Sequence, residues 1–310
     1  MEGYWNNMMH KVILWGGGKG YDEFVRLNGH QKVLVEAIVD KNKLCSTIDG
    51  IPVIFPEELL NYHFDYLVVS VLDDQIYKEI VLDALRIGIN REIIIPLRVF
   101  RIPFFNFDDY IDILQSNISI ISDCCFAGLL YHRFGMRFTS PTINMFSDNE
   151  NYYRFISDLR GYMSMPMKKI GHYVDEPWAG VYSYPRGCVG DVEWCFNHDI
   201  TFDTASERWE RGVKRFNWDN YLIIMCINSE SMAYAFEDLN IENKIGFYWK
   251  DLGLKSVVSL PEWQSPNFRE RNKYCFSGYV NGIADGNEEV RKIDWFKALL
   301  HKKDFIRVRY

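Results

Sequence analysis

No stretch of this chain approaches the roughly 20 consecutive apolar residues that a helix needs to cross a bilayer. Its most apolar pieces, such as residues 66–72, are only strand-length, so it is not expected to be transmembrane. The first residues show no basic region followed by an apolar core, and the protein is expected in the cytoplasm. Basic excess is also missing, since 42 Asp and Glu outnumber 35 Lys and Arg for a formal charge of -7. Without a basic stripe there is no electrostatic footprint for a polyanion, and nucleic acid is not expected as a partner. Cys-x-x-Cys is absent, and the seven cysteines are an odd number at irregular spacing, at 45, 124, 125, 188, 195, 226 and 275. That pattern suits reduced thiols rather than a disulfide framework, and it offers no close-set zinc ligands, so no metal set is assigned. Low-complexity tracts and blocks of like charge are lacking as well, so the whole chain reads as folded.

What is present is an α/β alternation long enough for two domains: a Rossmann-like parallel sheet over 1–115 and a larger α/β domain over 116–310. The aromatic fraction of 16% is high, which serves either a large core or flat ligands such as sugars and nucleobases. Lys11-Val12-Ile13-Leu14-Trp15 reads as a strand, followed by the turn Gly16-Gly17-Gly18-Lys19-Gly20 and a helix-capable stretch over 21–27. Glycines in such a turn let the backbone approach a phosphate while the helix end presents free N–H groups. Asp40 closes the next apolar run, 20 residues beyond Gly20, where an acid can accept hydrogen bonds from a ribose. Gly16, Gly18, Gly20 and Asp40 are therefore the candidate cofactor residues, for a nucleotide or nucleotide-sugar. Tyr21 stands where the fingerprint has its third glycine, so the turn serves either such a ligand or the fold alone.

In the second domain a strand over 117–122 ends in Asp123-Cys124-Cys125, and the helix over 127–134 is closed by Gly135. Ligands of open α/β sheets sit outside the carboxyl ends of strands, and a thiol at a helix N-terminus gains acidity, so Cys125 is a candidate nucleophile and Asp123 a candidate contact. Equally, either cysteine can be a small buried hydrophobe. Ser140-Pro141-Thr142 precedes a helix over 149–163, and its hydroxyls suit sugar or phosphate, or plain turn chemistry. Residues 189–196 read as one strand, with Asp191, Glu193 and Cys195 on one face. Two neighbouring carboxylates call for a cation, metal, substrate or arginine, or else they hydrate an exposed face, and His198 follows as a general base or ligand. On the helix over 203–215, Arg208, Arg211 and Arg215 form a cationic row able to hold phosphate, with Asp219 beyond. Glu207 with Arg211, and Glu210 with Lys214, are spaced for surface pairing instead.

Two resemblances accompany these residues. The run Val39-Asp40, Ile48-Asp49-Gly50-Ile51-Pro52-Val53, Pro56-Glu57-Glu58-Leu59, Asp65-Tyr66-Leu67-Val68-Val69-Ser70 and Gly88-Ile89 resembles the nucleotide-binding-like domain that precedes bacterial sugar acetyltransferases. Ser122-Asp123-Cys124-Cys125, Ser140-Pro141-Thr142, Tyr184-Pro185, Gly190-Asp191-Val192-Glu193, His198 and the stretch from Arg208 to Asn220 resemble a bacterial family associated with exopolysaccharide biosynthesis, over about 116–250. The resemblance implies a small-molecule or glycan substrate and work on cell-surface glycans. The expectation is an enzyme that modifies, or transfers to, a nucleotide-activated or lipid-linked sugar. In it Asp191, Glu193, His198 or Cys125 supplies the chemistry, and Asp123, Ser140, Thr142, Arg211, Arg215 and Asp219 bind substrate. A non-catalytic nucleotide- or sugar-binding regulator of the same pathway is the alternative. The sequence assigns no oligomeric state.

Overall fold

A computed structural model describes residues 9–42, 44–174, 183–260, 293–302 and 304–305. The first seven residues and Cys275, both considered above, lie outside the described residues, as does the stretch 287–292 of the second domain. The chain divides into two units, Met1–Tyr110 and Ile111–Tyr310.

In the first unit, β1 (Lys11–Trp15), α1 (Lys19–Arg26), β2 (Leu34–Val39), β3 (Thr47–Ile48), β4 (Ile51–Ile54), β5 (Tyr66–Val69), α2 (Asp74–Ile87) and β6 (Ile94–Pro96) follow one another. The sheet order is β3-β4-β2-β1-β5-β6, parallel except for the edge strand β3. Val12, Ile13 and Leu14 are all fully buried, because a parallel sheet is covered on both faces and its central strand is apolar in both parities. α2 places Tyr77, Ile80, Val81 and Ala84 on its inner face at helical spacing. Asp73 caps it by accepting the N–H groups of Gln75 and Ile76, and Gly88 ends it in the left-handed conformation. The strand order changes direction between β1 and β5, so the glycine turn lies at the switch point of the sheet.

α3 (Phe107–Ser116) spans the division, and the second unit continues with β7 (Ser119–Ser122), α4 (Phe126–Phe134), α5 (Asn149–Ser157), α6 (Leu159–Ser164), β8 (Lys168–Val174), β9 (Ser183–Val189) and β10 (Val192–Cys195). Then come α7 (Phe202–Arg215), β11 (Tyr221–Cys226), α8 (Glu230–Asp238), β12 (Lys244–Tyr248), β13 (Val257–Ser259) and α9 (Trp295–Leu299). β13-β12-β11-β7 form a parallel sheet, and β10-β9-β8 an antiparallel one. The aromatic residues here mainly build core: Tyr152, Phe155, Trp194 and Trp209 are buried and meet at ring-centroid distances of 5.1–6.4 Å.

Two elements differ from expectation. The single strand over 189–196 is instead the hairpin of β9 and β10, turning at Gly190-Asp191. The single helix over 149–163 breaks at Asp158, whose carboxylate accepts the N–H of Gly161 and starts α6 afresh. At the first, Gly190 reverses the chain in the left-handed region, with φ 58°; at the second, the short polar Asp158 competes with the helix for backbone hydrogen bonds.

Candidate active site

The turn after β1 is bound tightly into its own unit. Gly16 donates its N–H to Val39 O, and Ser70 Oγ donates to Gly16 O at 2.7 Å. At Gly20 an added Cβ would stand 1.4 Å from Ser70 O, so this glycine lets α1 close on the end of β5. It thus performs the close packing that the fingerprint assigns to a third glycine, one position before Tyr21. Gly18 faces open space. Asp40, expected to accept from a ribose, accepts the N–H of Gly17 at 3.2 Å through Oδ2 and of Asn42 at 2.8 Å through Oδ1. Tyr21 donates to Asp49 at 2.9 Å; burial, and then that bond, push its phenol up to about 12. Asp40 thus holds the turn itself, and Asp49 is tied to the first turn of α1.

The acids of β10 and its turn are surface groups. Asp191 lies in the hairpin turn, accepts a hydrogen bond from Tyr162 Oη at 2.8 Å and sits 3.4 Å from Arg154 Nη1; the tyrosine bond, before the arginine, lowers its pKa. Glu193 pairs with Arg186 across the hairpin. Both carboxylates are therefore answered by arginines, one of the outcomes that cross-strand charge demands. The cationic row of α7 is split. Arg208 turns inward, while Arg211 stays exposed 3.5 Å from Glu207, and Arg215 and Asp219 are exposed as well. Arg211 and Arg215 are not among the groups that answer Asp191 and Glu193. Among the described residues the ion pairs of Asp191 and Glu193 are made by Arg154 and Arg186, not by the row on α7.

Ser140 and Thr142 are buried rather than displayed to a substrate. Thr142 Oγ1 accepts the N–H of Ser122 at 3.2 Å, and Ser140 Oγ accepts the N–H of Thr142 at 3.3 Å. α7 presses on this turn through Gly212, where a Cβ would stand 2.4 Å from Pro141 Cα. These hydroxyls support the backbone at the end of β7 and leave no free face for a ligand.

At the carboxyl end of β7 the structure does bring candidates together. Ser122 Oγ accepts the N–H of Ala127 at 3.0 Å and donates to Cys124 O at 2.5 Å, fixing the loop that delivers Cys125 to the N-cap of α4. Cys125 Sγ is 3.3 Å from His198 Nε2, across 73 positions of sequence. The thiol is half-buried and the histidine exposed, so the pair opens to solvent. Beside it, Asp199 forms an ion pair with Arg208, whose guanidinium also donates to Ile143 O at 2.5 Å and to Asn144 O at 3.4 Å. That clamp holds the segment after β10 against the loop before α5. Burial lowers the pKa of Arg208 and raises that of Asp199, each opposed by the other's charge. The acidity expected for Cys125 at a helix end is overturned, because burial pushes its thiol up to about 11 against the pull of Asn197 and Arg208. Part of the helix end is also already engaged by Ser122.

Asp123 is 4% exposed, with Oδ2 accepting the N–H of Cys226 at 2.9 Å and Oδ1 lacking a hydrogen-bond partner. Burial raises its pKa to about 7. Asn149 links the neighbouring chain ends, donating to Cys226 O and accepting the N–H of Asn228, each at 2.7 Å. Asp199 and Cys226 take part here although neither was singled out from the sequence, and Arg208, read there as part of the cationic row, takes part through its ion pair with Asp199. The one available signal was the polar run Asn197-His198-Asp199 immediately beyond β10.

Comparison with known proteins gives two family matches. A family described as C2185-like, N-terminal matches residues 8–95, and one described as Domain of unknown function (DUF1919) matches residues 97–297. An uncharacterized protein of Haemophilus influenzae is 23% identical over 191 residues, which cover 60% of this chain and 86% of the relative. Among solved structures, N5-carboxyaminoimidazole synthase from Aspergillus clavatus, in complex with ADP and an aminoimidazole ribonucleotide, aligns at 14% identity with a TM-score of 0.17. The match covers 67% of this chain and 63% of that one, and likeness at this level carries no argument about fold or function. With its match spanning more than half of the residues, this chain belongs to the family described as Domain of unknown function (DUF1919).

Proposed function

We propose that the second unit is a transferase in which Cys125 is the nucleophile and His198 its base, acting on an activated sugar derivative during cell-surface polysaccharide assembly. The observation that carries the chemistry is the 3.3 Å approach of Cys125 Sγ to His198 Nε2 beside the carboxyl end of a parallel strand. The residue pattern's resemblance to exopolysaccharide-associated proteins supports the substrate class. A thiol with a pKa near 11 is protonated at neutral pH, so reaction needs proton removal in step with attack. His198 Nε2 takes the proton as Sγ bonds to the carbonyl carbon of an acyl donor. The leaving group departs with that proton, and a thioester is left on Cys125. A sugar hydroxyl then gives its proton to His198 and attacks the thioester carbon, and the thiol leaves reprotonated. Asp199 and Arg208 act as positioning residues, holding the His198 segment.

p-Nitrophenyl acetate is the test probe. A burst of about one equivalent of p-nitrophenolate is expected, with the acetyl group found on Cys125 by peptide mass spectrometry. Cys125→Ala should remove the burst, and His198→Ala should slow it about 100-fold. Acetylation at other residues only, or an unchanged rate in His198→Ala, would overturn the assignment. Nucleotide-sugars in a thermal-shift series address the substrate class. Saturation at 100 times the dissociation constant adds about 2.7 kcal/mol, and stabilisation in Cys125→Ala without any burst in the wild type would favour the regulator.

A further inference from the structure

We propose that Asp123, Cys124 and Cys226 form a binding site for a thiophilic divalent cation, of which Zn2+ is the type, at the carboxyl ends of β7 and β11. This site does not rest on the Cys125 chemistry, and either can stand without the other.

Three observations carry it. One ligand atom from each residue lies within 4.8 Å of the other two, and the residues are 4%, 6% and 6% exposed. The two sulfurs are 3.7 Å apart, against about 2.05 Å in a disulfide. A tetrahedral ion with metal–sulfur distances of about 2.3 Å has ligand edges of about 3.8 Å, so the pair already stands at the spacing that such an ion imposes. Finally, the carboxylate is incompletely partnered, with Oδ1 buried and without a hydrogen bond. An oxygen in that state is costly, and a cation removes the cost.

The two cysteines are held through their main chain, and Asp123, held through Oδ2, keeps Oδ1 available. Ser122 pairs with Ile224 in the β7–β11 ladder, which sets Asp123 and Cys226 just beyond the paired ends. Asn149 fixes Cys226 through its carbonyl, and Ser122 fixes Cys124 through its carbonyl. Two sulfurs select a soft or borderline ion over Mg2+ or Ca2+, and three protein ligands leave a fourth position for water or another exogenous group. The lack of a Cys-x-x-Cys pair does not bear on this set, because Cys124 and Cys226 meet across 102 positions.

The full chain, produced in zinc-supplemented medium, is expected to carry about one zinc per molecule by elemental mass spectrometry. Co2+ added to the metal-free chain should give a tetrahedral spectrum with thiolate charge-transfer absorption of two-sulfur intensity. Removing an outer hydrogen bond from a metal ligand costs 10–100-fold in affinity, so Cys226→Ser and Asp123→Asn should each weaken Co2+ binding by about 10-fold or more. Cys188→Ser and Cys125→Ala should bind as the wild type does. Circular dichroism checks the fold of each variant, and where Cys226→Ser fails to fold, the wild-type cobalt intensity decides. Absence of stoichiometric zinc, a cobalt spectrum without thiolate absorption, or wild-type affinity in a folded Cys226→Ser would each overturn the site.

Discussion

Burial outweighs the helix end at Cys125, and the opposite balance holds at Glu23. That carboxylate is 10% exposed, accepts 2.7 Å bonds from Arg26 and Arg101, and lies chiefly under the influence of the Arg26 hydrogen bond, which takes its pKa from 4.5 to about 2. A group whose folded pKa is depressed contributes stability above its unfolded value and loses it as pH falls through the folded one. The contribution of Glu23 is therefore complete above about pH 4.5 and disappears between there and about pH 2. Arg26 and Arg101 are themselves 68% and 42% exposed, so solvent screening reduces the effect to about 1–2 kcal/mol. Glu23→Gln should lower the stability of the first unit by that amount at pH 7 and by almost nothing at pH 2. Urea titrations at the two pH values check it; an equal loss at both would assign the cost to packing instead.

At the scale of elements, local signals carried most of the reading. The strand–turn–helix at residues 11–26, the Asp73 cap and Gly88 stop of α2, and the apolar run of β11 lie in consecutive residues, so propensity and capping suffice to find them. The 189–196 segment failed because alternation runs across the hairpin turn without a change of parity pattern, and only cross-strand pairing with β9 distinguishes a hairpin from one long strand. Cys125 and His198 could be chosen singly, each beside an element end, but their meeting depends on how β7 and the segment after β10 are packed. Gly20 shows the same division. The turn was visible, whereas the contact that requires glycine there comes from Ser70, 50 positions on. A methyl group 1.4 Å from a backbone oxygen cannot be absorbed by a side-chain rotation, so α1 or the end of β5 must move. Gly20→Ala should destabilise the first unit by about 3 kcal/mol or more, as overpacking in a closed core does. Gly18→Ala, with open space around it, should cost about 1 kcal/mol or less, and thermal unfolding of the two variants side by side checks the contrast.

At the scale of the molecule, each unit carries a core of its own. One gathers Ile13, Trp15, Val69 and the inner face of α2, and the other gathers Tyr152, Phe155, Trp194 and Trp209 with β11. No helix among the described residues is long and apolar enough to cross a membrane. Cores that share no residues make damage local. The strained contact of Gly20→Ala falls wholly within the first unit, whereas Ser122, Cys125, His198 and Arg208 are fixed by bonds made inside the second. Gly20→Ala should therefore lower the first thermal transition and leave the p-nitrophenyl acetate burst intact below it. Gly212→Ala should do the reverse. Its Cβ would stand 2.4 Å from Pro141 Cα, pushing α7 off the turn that supports Ser122 and displacing Arg208 from the carbonyls of residues 143 and 144. Calorimetry with burst kinetics on both variants separates the cases, and a burst lost equally in each would mean that the chemistry depends on both units together.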